Sequence, residues 1–404
     1  MSIALYIGWV LFAASVGYLL VASYCVLRFR RRLSKTPKPL TEHPGVTLYK
    51  PLHGLDYGLK QNLLTFCRQD YPSYQVVFGV SDSSDRAISV VRELIRECPD
   101  VDMELVISSD SNGNNPKVSN LINMDAFAKH DVLIISDSDM QVEADYIKRV
   151  VGGFDSDRVG LVTCLYKGTA APGLASQLGV MFINQWFTPS ALIPATFGKM
   201  KHCFGATMAI KRSVLNQIGG FEALAGNLAD DYTLGRLVRG ADYEIRLGDV
   251  VIENIVEEAG VKSLILHELR WARTIRSVEP LGFLSTFLTD SIPLGLLAGL
   301  LAYVTGYGLP WVIGPFVLAF AVRIILHFST KATFISKQSV PFWIIPVRDV
   351  LSFLVRLLCY TGQTVNWRNS NLSVGKDGEI NQSDPSNTAV KRYEKNPISE
   401  SPVL

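Results

Sequence analysis

Apolar and polar positions divide this chain into three regimes. From Ser2 to Leu27 no residue is charged, a run that at helical rise spans the roughly 30 Å hydrocarbon core of a bilayer. Between Val46 and about Arg276 short apolar runs alternate with helical periods. Strands are predicted at Val46–Lys50, Gln75–Val80, Met103–Ile107 and Val132–Ile135, and helices at Leu59–Arg68, Ala87–Glu97 and Lys117–Ala128. That βαβα rhythm predicts an α/β fold with a mostly parallel sheet and helices on both faces. After Arg276 the pattern changes again, with no charge between Asp290 and Arg323 and a helix breaker at Thr305–Pro310. Two spanning helices follow from this, about Ser291–Leu309 and Pro310–Phe328.

Val340–Val365 is apolar too, but Arg348, Asp349, Ser352 and Arg356 interrupt it. Those four share one helical face, so an amphipathic helix lying in the membrane interface is expected rather than a further span. From about Asn369 to Leu404 the chain is polar and is expected to stay disordered. The resulting division is a membrane helix over 1–27, a basic linker over 28–45, an α/β domain over 46–276, a membrane region over 277–368 and a polar tail over 369–404.

Composition sharpens this division. A mean hydropathy of +0.21 together with 19% charged residues fits membrane segments joined to a soluble domain. Arg28, Arg30, Arg31, Arg32, Lys35 and Lys38 follow the first apolar run. Under the positive-inside rule they keep the chain after Arg28 cytoplasmic, in an integral multi-pass protein. A cleaved signal peptide would carry its positive charge before the apolar run. The net charge of +2 gives no electrostatic argument for nucleic acid, and none is expected as a partner. Six scattered cysteines without a C-x-x-C pair read as reduced, mostly buried thiols.

The strand Val132–Ile135 stops at Ser136-Asp137-Ser138-Asp139. Ligands of open α/β sheets bind outside the carboxyl ends of such strands. Asp137 and Asp139, two positions apart, suit one hard cation, Mg²⁺ or Mn²⁺, with substrate phosphates completing the shell. An acidic loop or a helix cap accounts for the same residues. An EF-hand is excluded, because Val142 and Lys148 stand where Gly and Glu are needed.

Ser81–Asp85 closes another strand, where Asp82 is either a nucleoside contact or an Asx-turn. The loop Ser108–Lys117 lacks Walker spacing, yet Lys117 at a helix start can reach a diphosphate. Asp230-Asp231 precedes a helix, as caps or with a general base among them. His267-Glu268-Leu269-Arg270-Trp271 lies just before the membrane region. It is either an interfacial basic belt or a phosphate clamp beside an aromatic wall.

Taken in order, Asp82, Asp137 in Asp-Ser-Asp, Asp231 in Ala-Asp-Asp-Tyr and His267-x-x-Arg270-Trp271 resemble the D, D, D, (Q/R)-x-x-R-W series of membrane glycosyltransferases. The resemblance is to the ceramide glucosyltransferase family, including its bacterial hopanoid-biosynthesis branch. Lys50-Pro51-Leu52-His53-Gly54, Asn115-Pro116-Lys117-Val118-Ser119-Asn120-Leu121 and Ile218-Gly219-Gly220-Phe221 are similar to further motifs of that family.

The resemblance implies a GT-A fold on the cytoplasmic face, a UDP-sugar donor, a membrane lipid acceptor, a divalent cation (Mn²⁺ or Mg²⁺) and inversion at the anomeric carbon. It implies that Pro51, Gly54, Asp82, Lys117 and Asp137 bind the UDP-sugar, and that Asp137 and Asp139 hold the metal. Asp231 is implied as the base, with Arg270 and Trp271 near the leaving diphosphate and the acceptor. His267 stands where Gln or Arg is usual. Two other readings are a polysaccharide synthase, which the few membrane segments disfavour, and a non-catalytic sugar-nucleotide binder.

Overall fold

The computed structural model describes residues 3–35, 40, 42–334, 340–362, 364–367, 370–375 and 378–382. Helix α1 (Ile3–Leu33) runs straight through the basic cluster. The α/β part follows as β1 (Val46–Leu52), α2 (Leu59–Cys67), β2 (Tyr74–Val80), α3 (Ala87–Glu97), β3 (Asp102–Ile107), α4 (Pro116–Asp125), β4 (Val132–Ile135), the two-residue β5 (Met140–Gln141) and α5 (Tyr146–Val151). It continues with β6 (Val159–Ala170), α6 (Leu174–Phe182), α7 (Thr188–Phe197), β7 (Met208–Lys211), α8 (Arg212–Gln217), α9 (Asp230–Gly240) and β8 (Glu244–Val256). Beyond it lie α10 (Val261–Val278), α11 (Pro280–Ser285), α12 (Ser291–Val304), α13 (Leu309–Phe334) and α14 (Ile345–Leu358), then β9 (Thr364–Trp367), β10 (Ser370–Val374) and β11 (Ile380–Gln382).

The main sheet has the order β3-β2-β1-β4-β7-β6-β8-β5. β3, β2, β1 and β4 are parallel, β7 is antiparallel to both neighbours, and β6 pairs parallel with β8. Alternation buries both faces. In β4, Leu133 and Ile135 enter one apolar cluster and Val132 and Ile134 the other. The first cluster also takes Leu19, Val26 and Phe29 of α1 and Val322, Leu326 and Phe334 of α13. The inner ends of the apolar helices therefore share a core with the sheet, which fixes the domain against them.

Helices α1 and α13 are long and apolar enough to cross a membrane. The expected span at Ser291–Leu309 is shorter than predicted: α12 has 14 residues and reaches spanning length only together with Pro280–Thr289, bent away from it by 69°. The expected interfacial helix also differs. Arg348, Asp349, Ser352 and Arg356 do share one face of α14, but that face is buried. Arg348 pairs with Glu268, Arg356 with Asp290, and Asp349 with Arg323 at 2.8 Å. Buried charges need partners rather than headgroups, and these found them inside the protein.

The basic linker begins inside α1, where Arg32 pairs with Asp249 and donates to the Leu247 carbonyl at 2.7 Å. The tail expected from residue 369 is partly ordered. Ile380 N donates to Gly226 O and Leu228 N to Gly378 O, so β11 docks by backbone pairing that needs no apolar run. Residues 383–404 lie outside the described residues.

At Gly299 an added Cβ would overlap the Val312 carbonyl oxygen, and at Gly295 it would meet Pro315 O at 2.9 Å, so α12 and α13 touch backbone to backbone. Gly299→Val should destabilise the protein by about 1–3 kcal/mol through overpacking, read as a lower Tm in detergent. Gly314→Ala, with nothing within 4 Å of its Cβ, should leave Tm nearly unchanged.

Candidate active site

The turn after β4 is pinned from both sides. Lys50, buried in β1, donates from Nζ to the Asp137 carbonyl at 2.5 Å while lying 3.5 Å from the centroid of Phe66. Ser138 donates to the Asp56 carboxylate, and Asn62 reaches the Ser138 carbonyl. The Asp137 carboxylate stays partly exposed and pairs with Lys117 Nζ at 2.8 Å. Lys117 opens α4, where the Asn115 side chain accepts from Lys117 N and Val118 N and Pro116 takes the first helical position.

Lys117 Nζ also lies 3.2 Å from Asp230 Oδ2 at the start of α9. The neighbouring Asp231 accepts from Gly205 N at 3.0 Å and Tyr232 N at 2.7 Å. Gly205 marks the convergence: a Cβ there would lie 3.6 Å from Asp137 Oδ2, Asp231 Oδ2 and Lys117 Nζ alike. Lys117, Asp137 and Asp231, from three separate motifs, thus meet around one small residue.

Burial shifts these groups strongly. It pushes the Asp139 carboxyl up to about 7, helped by the charges of Asp137 and Asp56. Burial and Asp230 raise Asp231 to about 6, with Lys117 and the two backbone N–H donors opposing. Burial drives Lys50 down to about 7 against the pull of Asp137 and Asp139. For Lys117 the same desolvation is outweighed by Asp137 and Asp230, which hold it protonated well above its usual range.

The residues present fit a divalent cation. Asp139 Oδ1 is buried without a hydrogen-bond partner, and a cation beside it would relieve the crowding that raises its carboxyl. Among the described residues no group of three or more His, Cys, Asp or Glu side chains is placed to hold a metal ion by itself. Mg²⁺ and Mn²⁺ do not require one, since carboxylate pairs with phosphate oxygens and water suffice.

The His267–Trp271 segment lies on α10. His267 Nδ1 is 2.7 Å from Glu258 Oε1, and its ring sits 4.3 Å from that of Trp271. Burial would raise Glu258, but hydrogen bonds from His267 and Ser263 prevail and keep it below the usual range. His267 and Trp271 share a cavity with Asp139, Asp56 and Asn254. Tyr166, on β6, responds to both groups: its phenol is raised by burial and by Asp231, Asp139 and Asp137, and eased by Arg270.

Asp82 lies just beyond β2 on the surface, where its Oδ1 takes Ser84 N at 2.8 Å, the Asx-turn alternative. Gly54, at a φ of 69°, follows β1 and donates to Asp85 at 2.7 Å. Pro51 pairs in register with Gly79 of β2. The ends of β1 and β2 therefore open together beside the Asp137 turn, while Asp82 itself stays apart from the Lys117 cluster.

Sequence reading missed Asp56, Gly205 and Glu258. Asp56 and Gly205 carry no spacing signal. Glu258, just beyond β8, had a faint one as an acid at a strand end.

Lys117→Met would leave Asp137, Asp230 and Asp231 facing one another. A destabilisation of about 3–5 kcal/mol is expected from the unpaired buried charge. Asp231, already raised in the folded state, binds a proton more tightly there, so acid relieves the repulsion. The Tm deficit should be larger at about pH 8 than at about pH 5.5, as thermal melts of both proteins would show.

The profile of glycosyl transferase family 21 matches residues 7–380. Ceramide glucosyltransferase 3 of Caenorhabditis elegans is 24% identical over 383 residues, covering 93% of this chain and 82% of its own. Ceramide glucosyltransferase 1 of the same organism is 25% identical over 361 residues, covering 87% and 76%. Among solved structures, the mannosyltransferase PcManGT from Pyrobaculum calidifontis in complex with GDP-Man and Mn²⁺ superposes with a TM-score of 0.56 at 19% identity, over 89% of this chain and 99% of that one. That likeness bears on the fold, which is GT-A-like. With the profile running from α1 to the last described strand, the chain belongs to glycosyl transferase family 21 and is a hexosyltransferase.

Proposed function

We propose that this enzyme moves one sugar, with inversion, from a UDP-sugar to the hydroxyl of a membrane lipid, with glucose and ceramide as the first pair to test. The observation that carries the reading is the meeting of Asp231 with Asp137 and Lys117 around Gly205. It sets a buried carboxylate of raised basicity beside a cationic, diphosphate-sized site. Asp231 takes the proton of the acceptor hydroxyl as its oxygen attacks the anomeric carbon and the bond to the diphosphate breaks.

Lys117 lies at the start of α4, where the helix N-terminus and the ammonium both favour the anionic leaving group. Asp137 and Asp139 would hold a divalent cation, which neutralises charge developing on the diphosphate. Pro51, Gly54 and Asp82 line the nucleotide end, and His267, Arg270 and Trp271 the acceptor end. Ceramide glucosyltransferases as curated relatives support a lipid acceptor.

The enzyme is read as multi-pass with its catalytic domain cytoplasmic. The basic end of α1 supports this, because Arg32 docks on β8 and so keeps the domain on the positive-inside side.

Asp231→Asn should abolish transfer while UDP-glucose binding, measured by calorimetry, survives; near-normal turnover would overturn the base assignment. Asp231 acts only when deprotonated, so kcat/KM should be flat at neutral pH and fall as pH drops through about 6. Removal of divalent metal with a chelator should stop turnover, and Mn²⁺ or Mg²⁺ should restore it. Lipid profiling of cells with and without the enzyme separates ceramide, hopanoid polyol and diacylglycerol as acceptors, and a polymeric product would point to a synthase.

A further inference from the structure

The cavity between the Asp137 turn and α10 has a wall that the reaction as written leaves unused. It holds about 210 Å³ and is lined by Asp56, Asp139, Glu257, Glu258 and Glu268, with His267 as the one lining side chain able to carry positive charge. Ile183, Leu264 and Trp271 give it an apolar side. Within it, Asp139 Oδ1 has no hydrogen-bond partner.

Glu268 differs from the other acids in how it is held. It is 3% exposed, and its Oε1 takes Arg348 Nη2 at 2.5 Å. Arg348 is itself 2% exposed, and its Nε and Nη1 make no hydrogen bond. Its guanidinium lies 5.5 Å from the centroid of Phe182, whose ring stacks on Trp271 at 5.6 Å and 25°. One arginine on α14 therefore fixes both the carboxylate and the aromatic wall of a single cavity.

A buried ion pair gives little stability over a well-packed apolar pair of the same volume, because both charges lose their water. Stability alone does not account for a charged pair at a cavity wall. Paired with Arg348, the Glu268 carboxylate presents acceptor oxygens to the cavity. It welcomes O–H and N–H donors and repels phosphate.

We propose that Glu268, oriented by Arg348, accepts a hydrogen bond from a hydroxyl or amide N–H of the acceptor headgroup, with Trp271 as its apolar wall. The pair thereby selects uncharged, hydrogen-bond-donating headgroups over anionic ones. Glu268 is the contact and Arg348 the positioning residue. The inference rests on the lipid-acceptor reading above.

The test uses the full chain in nanodiscs with UDP-glucose, Mn²⁺ and either short-chain ceramide or short-chain diacylglycerol. Glu268→Gln should raise the acceptor KM about tenfold or more, the loss of a hydrogen bond to a charged group, with the donor KM unmoved. The apolar pair Glu268→Leu/Arg348→Met removes both charges together and should melt near the unaltered protein, yet keep the weakened acceptor KM.

A purely structural pair predicts the reverse, with affinity returning alongside stability. An unmoved acceptor KM in folded Glu268→Gln, or a normal one in the double variant, overturns the inference. If Glu268→Gln does not fold, the double variant decides alone. Failure of the unaltered chain to transfer to either lipid sinks the functional reading and this inference with it, an outcome distinct from transfer with an unmoved KM.

Discussion

One buried ammonium holds the acidic cluster at the sheet edge together. Asp137, Asp230 and Asp231 come together around Lys117, and burial with the charge of Asp230 raises the Asp231 carboxyl. Lys117 meets Asp137 at 2.8 Å and Asp230 at 3.2 Å, and its charge also acts on Asp231. The cost of desolvating that lysine is outweighed only because the carboxylates stand around it. The same arrangement leaves Asp231 raised but not fully neutralised. A base of intermediate basicity is what proton removal near neutral pH requires.

The helices beyond the sheet solve a related problem by strict pairing. Arg323 with Asp349, Arg348 with Glu268 and Arg356 with Asp290 are each an almost fully buried arginine–carboxylate pair. They join α10, α12, α13 and α14 next to the π-turn at Ile183–Phe187, a rare geometry found at functional sites. Arg323 also donates to the Gln185 carbonyl in that turn at 3.3 Å. Arg356 lies over Trp186, and Arg348 over Phe182. Geometry of this kind fixes helix orientation more than it adds stability.

Much of the fold was legible because periodicity reports burial. Val132–Ile135 reads as a two-sided strand and is one, with both faces in apolar clusters. The convergence of Lys117 with Asp137 and Asp231 was accessible only through family resemblance, since no local pattern says which loops meet at a sheet edge. On α14 the sequence revealed that four polar residues share a face but not what the face meets. Water, headgroups and buried counter-charges all satisfy the same amphipathic pattern. The paired strands after Thr364 escaped notice for another reason: backbone pairing to the Gly226–Leu228 loop leaves no hydrophobic signature. Gly205 was invisible because its role is to be small.

The strand-end cluster and the helix ion pairs connect through α10. The Glu268–Arg348 pair holds it to α14, and Glu268, His267 and Trp271 all border the cavity that also contains Asp139. Tyr166 feels the charges of Asp231, Asp139, Asp137 and Arg270 together. The sheet core in turn includes the inner ends of α1 and α13. The packing that sets the apolar helices therefore also sets the strand ends that carry Asp137.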